Sequence, residues 1–167
     1  MVRKMIYGFL GVGLILILLL VVLSVVSRNQ PATGLVDGRL RPCPSTPNCV
    51  NSEDVGKPSY VEPLLFKTSP ENSWKIVKSA IQDMGGKIEL ENDGYLHATF
   101  MTAVFRFVDD VELRMDEKNA VIQVRSASRV GRSDMGLNRK RVSKLRALFN
   151  QQQAEQPAHD HPITPAS

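Results

Sequence analysis

The most constraining feature of the sequence is an uncharged apolar segment near its start. No charged residue occurs between Met5 and Val26, and the stretch from Leu14 to Leu23 is entirely aliphatic. An α-helix rises about 1.5 Å per residue and needs roughly 20 apolar residues to cross a hydrocarbon core of about 30 Å. The segment therefore predicts a transmembrane helix over residues 5–26 and a single-pass membrane protein.

A cleaved signal peptide is the competing interpretation, because Arg3 and Lys4 form a positively charged region ahead of the apolar segment. Val25 and Ser27 are small residues that could serve as a cleavage site. A signal peptide usually has about 7–15 apolar residues and then an A-x-A-like site. This segment is longer and no such site follows it. We therefore expect residues 1–27 to form a cytoplasmic stub and a retained anchor.

The flanking charges predict the orientation of the anchor. Arg3 and Lys4, together with the α-amino group, favour a cytoplasmic N-terminus under the positive-inside rule. Arg28, Arg39 and Arg41 on the other side weaken that bias. We expect the soluble part on the non-cytoplasmic side, in a periplasmic or extracellular space.

The rest of the 167-residue chain predicts one small domain. Residues 28–42 have the composition of a linker, and residues 151–167 that of a disordered polar tail. Residues 43–150 are enough for a single hydrophobic core. Capping residues and apolar spacing predict one helix beginning near Ser69 and a second over about Leu137–Asn150.

Four strands are predicted between these helices. Asn92-Asp93-Gly94 is a hairpin signal between strands at Lys87–Glu91 and Tyr95–Met101. A third strand is predicted within Phe105–Met115 and a fourth over Ala120–Ser126. The order of elements predicts an α+β fold, in which a small antiparallel sheet of about four strands carries both helices on one face.

Cys43 and Cys49 are the two cysteines of the chain and enclose a short proline-containing segment. Outside the cytoplasm, such a pair favours a disulfide. A metal or redox role is the alternative. The C-x-x-C redox motif is absent, and His97, His159 and His161 lack zinc-ligand spacing. For a domain on the non-cytoplasmic side we therefore predict a structural disulfide, with no metal site and no cofactor.

The densest polar stretch, residues 125–139, joins the last predicted strand to the last helix. Its arginines and glycines precede a helix N-terminus, an arrangement that attracts anions, although the Gly-Lys-Ser/Thr of a phosphate-binding P-loop is missing. In the alternative interpretation its polar residues cap the helix, and its arginines pair with Asp109 or Asp110 in the neighbouring strand. The sequence is compatible with both interpretations.

Enzyme chemistry has no positive support in the sequence. Asp109 and Asp110 are adjacent in a strand and therefore point to opposite faces, so they cannot easily share a substrate. His97 has no Ser or Cys partner with which to build a triad. Nucleic-acid binding is not expected either, because the basic C-terminal helix lacks interleaved aromatic residues.

Three segments resemble the domain of unknown function (DUF) family 1499. They are Pro47–Ser52 (PNCVNS), Phe107–Glu112 (FVDDVE) and Arg125–Arg139 (RSASRVGRSDMGLNR), and the similarity spans roughly Cys43 to Leu148. Asn51 departs from the family pattern, which usually has a serine there. The resemblance implies an envelope-associated protein of bacteria or of organelles descended from them, and it implies no activity.

These observations favour a non-catalytic binding or interaction domain whose partner is an envelope protein or an anionic small molecule. The alternative is an enzyme or a carrier of a small anionic ligand that uses the aspartate and arginine cluster. The candidate site residues lie in or beside the matching segments: Asp109, Asp110, Arg125, Ser126, Ser128, Arg129, Asp134, Asn138 and Arg139.

Overall fold

The computed structural model describes residues 2–29 and 33–155. A long helix comes first, then short strands, a helix, four longer strands and a last helix. In chain order these elements are α1 (Val2–Val26), β1 (Leu35–Val36), β2 (Arg39–Leu40), β3 (Cys49–Asn51), β4 (Leu64–Leu65), α2 (Pro70–Asp83), β5 (Lys87–Asn92), β6 (Tyr95–Met101), β7 (Val108–Asp116), a 3₁₀ turn (Glu117–Asn119), β8 (Val121–Ser128) and α3 (Leu137–Glu155).

Helix α1 contains the apolar segment and is long and apolar enough to cross a membrane, as a membrane anchor or a signal sequence would be. Most of its side chains are exposed. Shielding from the rest of the protein is confined mainly to its last two turns, where Ser24 and Ser27 are buried. The helix therefore projects from the domain and touches it at its C-terminal end.

The sheet is antiparallel and has six strands, with β3, β8, β7, β6 and β5 side by side and β4 also paired with β8. The four predicted strands correspond to β5–β8, and the predicted hairpin turn lies between β5 and β6. The sheet is larger than the predicted four strands. The additional strands β3 and β4 have only three and two residues and are defined by pairing with β8 far along the chain.

Both α2 and α3 pack on one face of the sheet, and the predicted α+β class is confirmed. Ser69 caps the start of helix α2, and its side chain accepts a hydrogen bond from the Asn72 amide. Gly85 follows the end of the helix with φ +82°. The alternate residues of β6, β7 and β8 that face these helices, such as Leu113, pack with apolar helix residues, such as Phe149, in a single core.

Two boundaries differ from the sequence-based prediction. The predicted linker, residues 28–42, contains the hairpin of β1 and β2, and its Leu40 is buried against the sheet. Helix α3 continues to Glu155, so the first five residues of the predicted polar tail are helical. The rest of that tail, residues 156–167, lies outside the described residues.

Candidate functional site

The face of the sheet turned away from the helices carries the candidate charged residues. Because side chains alternate along a strand, β6, β7 and β8 place their polar residues on this face while their apolar residues enter the core. The β1–β2 hairpin lies over the middle of the face, and the end of α1 lies against the edge where β7 begins. The polar residues of the three strands are Tyr95, His97, Thr99, Asp110, Glu112, Arg114, Gln123 and Arg125.

Glu112 is the most deeply buried charge, with 0% of its surface exposed. Its carboxylate accepts hydrogen bonds from Arg125 Nη1 at 2.6 Å, from the Tyr95 hydroxyl at 2.7 Å and from the Gly34 amide at 2.8 Å. Burial, and then the hydrogen bond to Glu112, raise the pKa of Tyr95. Protein donors thus replace water around this carboxylate, which fixes the hairpin segment to the sheet.

Asp110 forms a second buried charge cluster. Its Oδ1 lies 2.8 Å from Arg129 Nη2 and 2.7 Å from His97 Nε2, and its Oδ2 accepts from Arg129 Nε at 3.0 Å. Burial alone would raise the pKa of Asp110, but the hydrogen bonds of His97 and Arg129 outweigh burial and hold that pKa below its usual value. Asp110 is therefore an anion that the protein itself neutralises.

Arg129 also contacts the end of helix α1. Its Nη1 donates to the carbonyl oxygens of Ser27, Arg28 and Asn29 at 3.2, 3.4 and 3.2 Å. These carbonyls belong to the turn that follows α1, and a cation beside the C-terminal end of a helix offsets the helix dipole. In addition, the Val108 amide donates to Ser27 Oγ at 3.2 Å. Arg129 thus joins the domain to the C-terminal end of α1, and we call this set of contacts the anchor junction.

Asp109 lies on the opposite face of the sheet, under helix α3. It accepts from Arg141 Nη2 at 2.5 Å, while Arg141 Nη1 donates to Ser126 Oγ at 3.0 Å. The Ser126 hydroxyl donates in turn to Asn138 Oδ1 at 2.6 Å, and the guanidinium lies over the ring of Phe100. This network positions α3 on β8 and does not reach the Asp110 cluster.

Asn138 and Asp134 organise the connection between β8 and α3. Asn138 Nδ2 donates to the Asn48 carbonyl at 2.9 Å and to Ser128 Oγ at 3.0 Å. Asp134 accepts from the amides of Gly136 and Asn138 at 2.9 and 2.7 Å, which satisfies free donors at the start of α3. These residues hold the loop in a defined shape.

Cys43 and Cys49 form the predicted disulfide, with their Cα atoms 5.6 Å apart. The Cys43 amide donates to Asp54 Oδ2. Burial would raise the pKa of Asp54, but hydrogen bonds from Lys57, Ser59 and this amide lower it. Together with Asn48, the bridge attaches the entry of the domain to the β8–α3 connection.

The structure therefore divides the predicted site residues into three groups. Asp110, Arg125 and Arg129 lie on the polar face. Asp109, Ser126 and Ser128 lie under α3 and contact Asn138 or Arg141 of that helix. Asp134 and Arg139 lie at its N-terminus, where the guanidinium of Arg139 donates to the carbonyls of Pro58 and Tyr60.

Three participants were missed by the sequence-based reasoning: Glu112, Tyr95 and Arg141. The alternation of β7 carried a signal for the first of these, because Glu112 is two residues from Asp110 and must share its face. Arg125 pairs with Glu112 rather than with either aspartate, whereas Arg129 does pair with Asp110.

Two surface grooves border these clusters. One, of about 450 Å³, lies beside the anchor junction and is lined by Arg28, Lys87, His97, Thr99 and Arg129 among others. The other, of about 620 Å³, lies between the disulfide loop and the start of α3. Among residues 2–29 and 33–155, no group of three or more His, Cys, Asp or Glu side chains is placed to hold a metal ion.

The sequence model of the family described as "Protein of unknown function (DUF1499)" matches residues 39–149, from strand β2 to near the end of α3. This chain belongs to the DUF1499 family. The match begins within the β1–β2 hairpin, in agreement with the packing of Leu40 against the sheet of this DUF1499 domain. No curated protein matches the chain.

Proposed function

We propose that this DUF1499 protein is a single-pass membrane protein whose domain lies on the non-cytoplasmic side and acts as a non-catalytic binding domain. The anchor junction carries the proposal. Removing α1 and Ser27 as a signal peptide would take one of the three carbonyl partners of Arg129 Nη1 and the side-chain partner of the Val108 amide. The end of α1 is thus part of the hydrogen-bond network of the folded domain, which supports its retention.

Two independent features support the proposed side of the membrane. Arg3 and Lys4 precede the apolar segment and favour a cytoplasmic N-terminus. The Cys43–Cys49 disulfide is typical of a protein in an oxidising compartment. Both support an envelope location for the domain.

Binding is supported over catalysis by the state of the charged groups. A general base must reach the substrate proton that it removes, whereas the carboxylates of Asp110 and Glu112 are buried and hydrogen bonded within the protein. The exposed part of the polar loop is the connection from Gly131 to Gly136, held by Asn48 and Asp134. Met135 at its tip is 89% exposed. We propose this connection as the contact surface for an envelope protein.

Two experiments test the anchor and its side. Membranes containing the full chain are washed with alkaline carbonate and the retained protein is sequenced from its N-terminus. We expect it to stay in the membrane and to begin at or near Met1. Release into the wash, or a start near Arg28, would refute the anchor. Protease added to spheroplasts should digest the domain. Full protection of the domain from the protease would refute its location on the non-cytoplasmic side.

The contact surface is tested by site-specific photocrosslinking. A photoreactive residue replaces Met135 or, as a control of similar exposure in another loop, Val55, which is 75% exposed. We expect a discrete crosslinked envelope protein from position 135 that is absent from position 55. The same products from both positions would contradict a specific surface in this connection.

A second candidate function is a carrier or enzyme for a small anion. It is favoured by the 450 Å³ groove, where the exposed Arg28 supplies positive charge beside His97, while Lys87 and Arg129 are paired with Glu89 and Asp110. Native mass spectrometry of the purified full chain tests it. A stoichiometric co-purified anion that is lost in Arg28→Ala would favour this function over protein binding.

A further inference from the structure

The connection between β6 and β7 is a short, fixed loop with exposed apolar side chains. Thr102 and Phe107 close it, because the Thr102 amide donates to the Phe107 carbonyl at 2.9 Å and the Phe107 amide donates to Thr102 Oγ1 at 2.9 Å. Val104 is 80% exposed and Phe105 is 45% exposed. The apolar side chains thus project from a closed turn and are not buried by the domain.

This loop lies beside the end of α1. Strand β7 begins at Val108, whose amide is hydrogen bonded to Ser27 Oγ at 3.2 Å. Strand β6 ends at Met101, which is paired with Val108 and is also exposed. The Met101–Phe107 loop is therefore at the edge of the domain from which α1 emerges.

The domain also lies alongside the last two turns of α1. Leu20, Leu23, Ser24 and Ser27 lie on one helical face. The two serines are buried and the two leucines are partly shielded, whereas Val21 on another face is exposed. From residue 20 to residue 27 a helix rises about 10 Å. Part of the domain therefore extends back along the apolar helix, past the point where the chain leaves it.

We propose that the Met101–Phe107 loop inserts into the interfacial layer of the bilayer that holds α1. This inference rests on the proposed membrane anchor. Val104 and Phe105 enter the boundary with the acyl chains, where transfer from water is favourable. Arg106 in the loop and Arg28 after α1 are both exposed and lie at the level of the lipid phosphates, which attract cations.

Lipid is the occupant that the geometry favours, because a patch attached to the end of a membrane-spanning helix faces that membrane without any further association step. A scattered apolar residue on a protein surface needs no explanation. Here, however, Met101, Val104 and Phe105 lie together, and they lie at the one edge of the domain that the anchor brings to the bilayer.

The experiment uses the full chain reconstituted in vesicles that contain lipids brominated near the top of the acyl chains. Bromine quenches tryptophan fluorescence on contact. Val104→Trp is compared with Val55→Trp, a matched control at 75% exposure in the loop after β3, where Glu53 accepts from Arg114 near the opposite end of β7. Trp74 contributes the same background to both variants. Phe105→Trp is a second reporter in the loop, so the result does not depend on one variant.

We expect brominated lipid to cause a loss of emission in V104W and F105W beyond any loss in V55W, with a blue shift of the added emission. Vesicle flotation at alkaline pH is measured on the same samples. A chain that floats but shows equal quenching in all three variants overturns the loop contact alone. A chain that does not float overturns both the anchor and the loop contact.

Discussion

Replacing Arg129 with alanine tests the anchor junction most directly. Arg129 and Asp110 form a two-point ion pair in which their side chains are only 8% and 3% exposed. Removing one partner of a buried ion pair costs about 3–5 kcal/mol, and we expect the lower end of that range because His97 remains 2.7 Å from Asp110. For a domain of this size, that loss lowers the melting temperature by on the order of 10 °C.

The assay is thermal unfolding of the full chain in detergent micelles, followed by near-ultraviolet circular dichroism. Arg132→Ala is the matched control, because Arg132 is an exposed arginine in the same connection and should change the stability by no more than about 0.5 kcal/mol. If R129A melts within the error of R132A, the ion pair contributes little and the reasoning fails. A double variant with Asp110→Asn should lose less than the sum of its two single variants.

The stability lost in the R129A variant is predicted to depend on pH. The folded-state pKa of Asp110 is lowered, so its contribution to stability is present above the unfolded-state value of about 3.9 and is lost as pH falls through the lower folded value. The difference in melting temperature between wild type and R129A should therefore narrow on acidification through this window. A difference that stays constant down to the acid limit would contradict the role of the Asp110 charge.

Three further predictions concern the rest of the domain. Replacing Cys43 and Cys49 by serine should destabilise the domain by about 2 kcal/mol, measured as a loss in melting temperature that dithiothreitol reproduces in the wild type. Asp134→Ala should cost about 1 kcal/mol through the lost cap of α3, measured by urea denaturation. Phe149→Ala, at a fully buried position, should cost about 3–5 kcal/mol in the same assay, and a loss below 1 kcal/mol would contradict its place in the core.

Local sequence patterns were sufficient for most of the fold. The Asn92–Gly94 turn, the alternation in β6 to β8 and the apolar spacing of α3 each depend on neighbouring residues, and each predicted an observed element. Strands β3 and β4 depend on pairing with β8 across long sequence separations. No local pattern of two or three residues can indicate such pairing.

The boundary errors have a similar cause. Leu40 lay in a polar, glycine-containing stretch, and its burial depends on the sheet beneath it. The end of α3 was placed too early because its last residues are polar. Gln153 is buried there, accepting from the Lys67 amide and donating to the Leu65 carbonyl. The polar residues predicted a solvent-exposed tail. In the fold, however, the side-chain amide of Gln153 is a hydrogen-bond partner for backbone groups.

The sequence indicated most of the residues in the charged clusters but not how the structure groups them. The pairing of Arg129 with Asp110 was one of the options open on the sequence, and the structure selects it. Glu112 was missed because a lone charge in a strand is usually expected to face water. The β1–β2 hairpin covers Glu112, and this contact depends on the tertiary structure and not on a local sequence pattern.

The anchor junction has a consequence for motion in the plane of the bilayer. If α1 is the membrane anchor proposed above, the contacts of Arg129 and Val108 with its end couple rotation of the domain about the membrane normal to rotation of the helix. A neighbouring transmembrane helix that packs on one side of α1 would then always meet the same side of the domain.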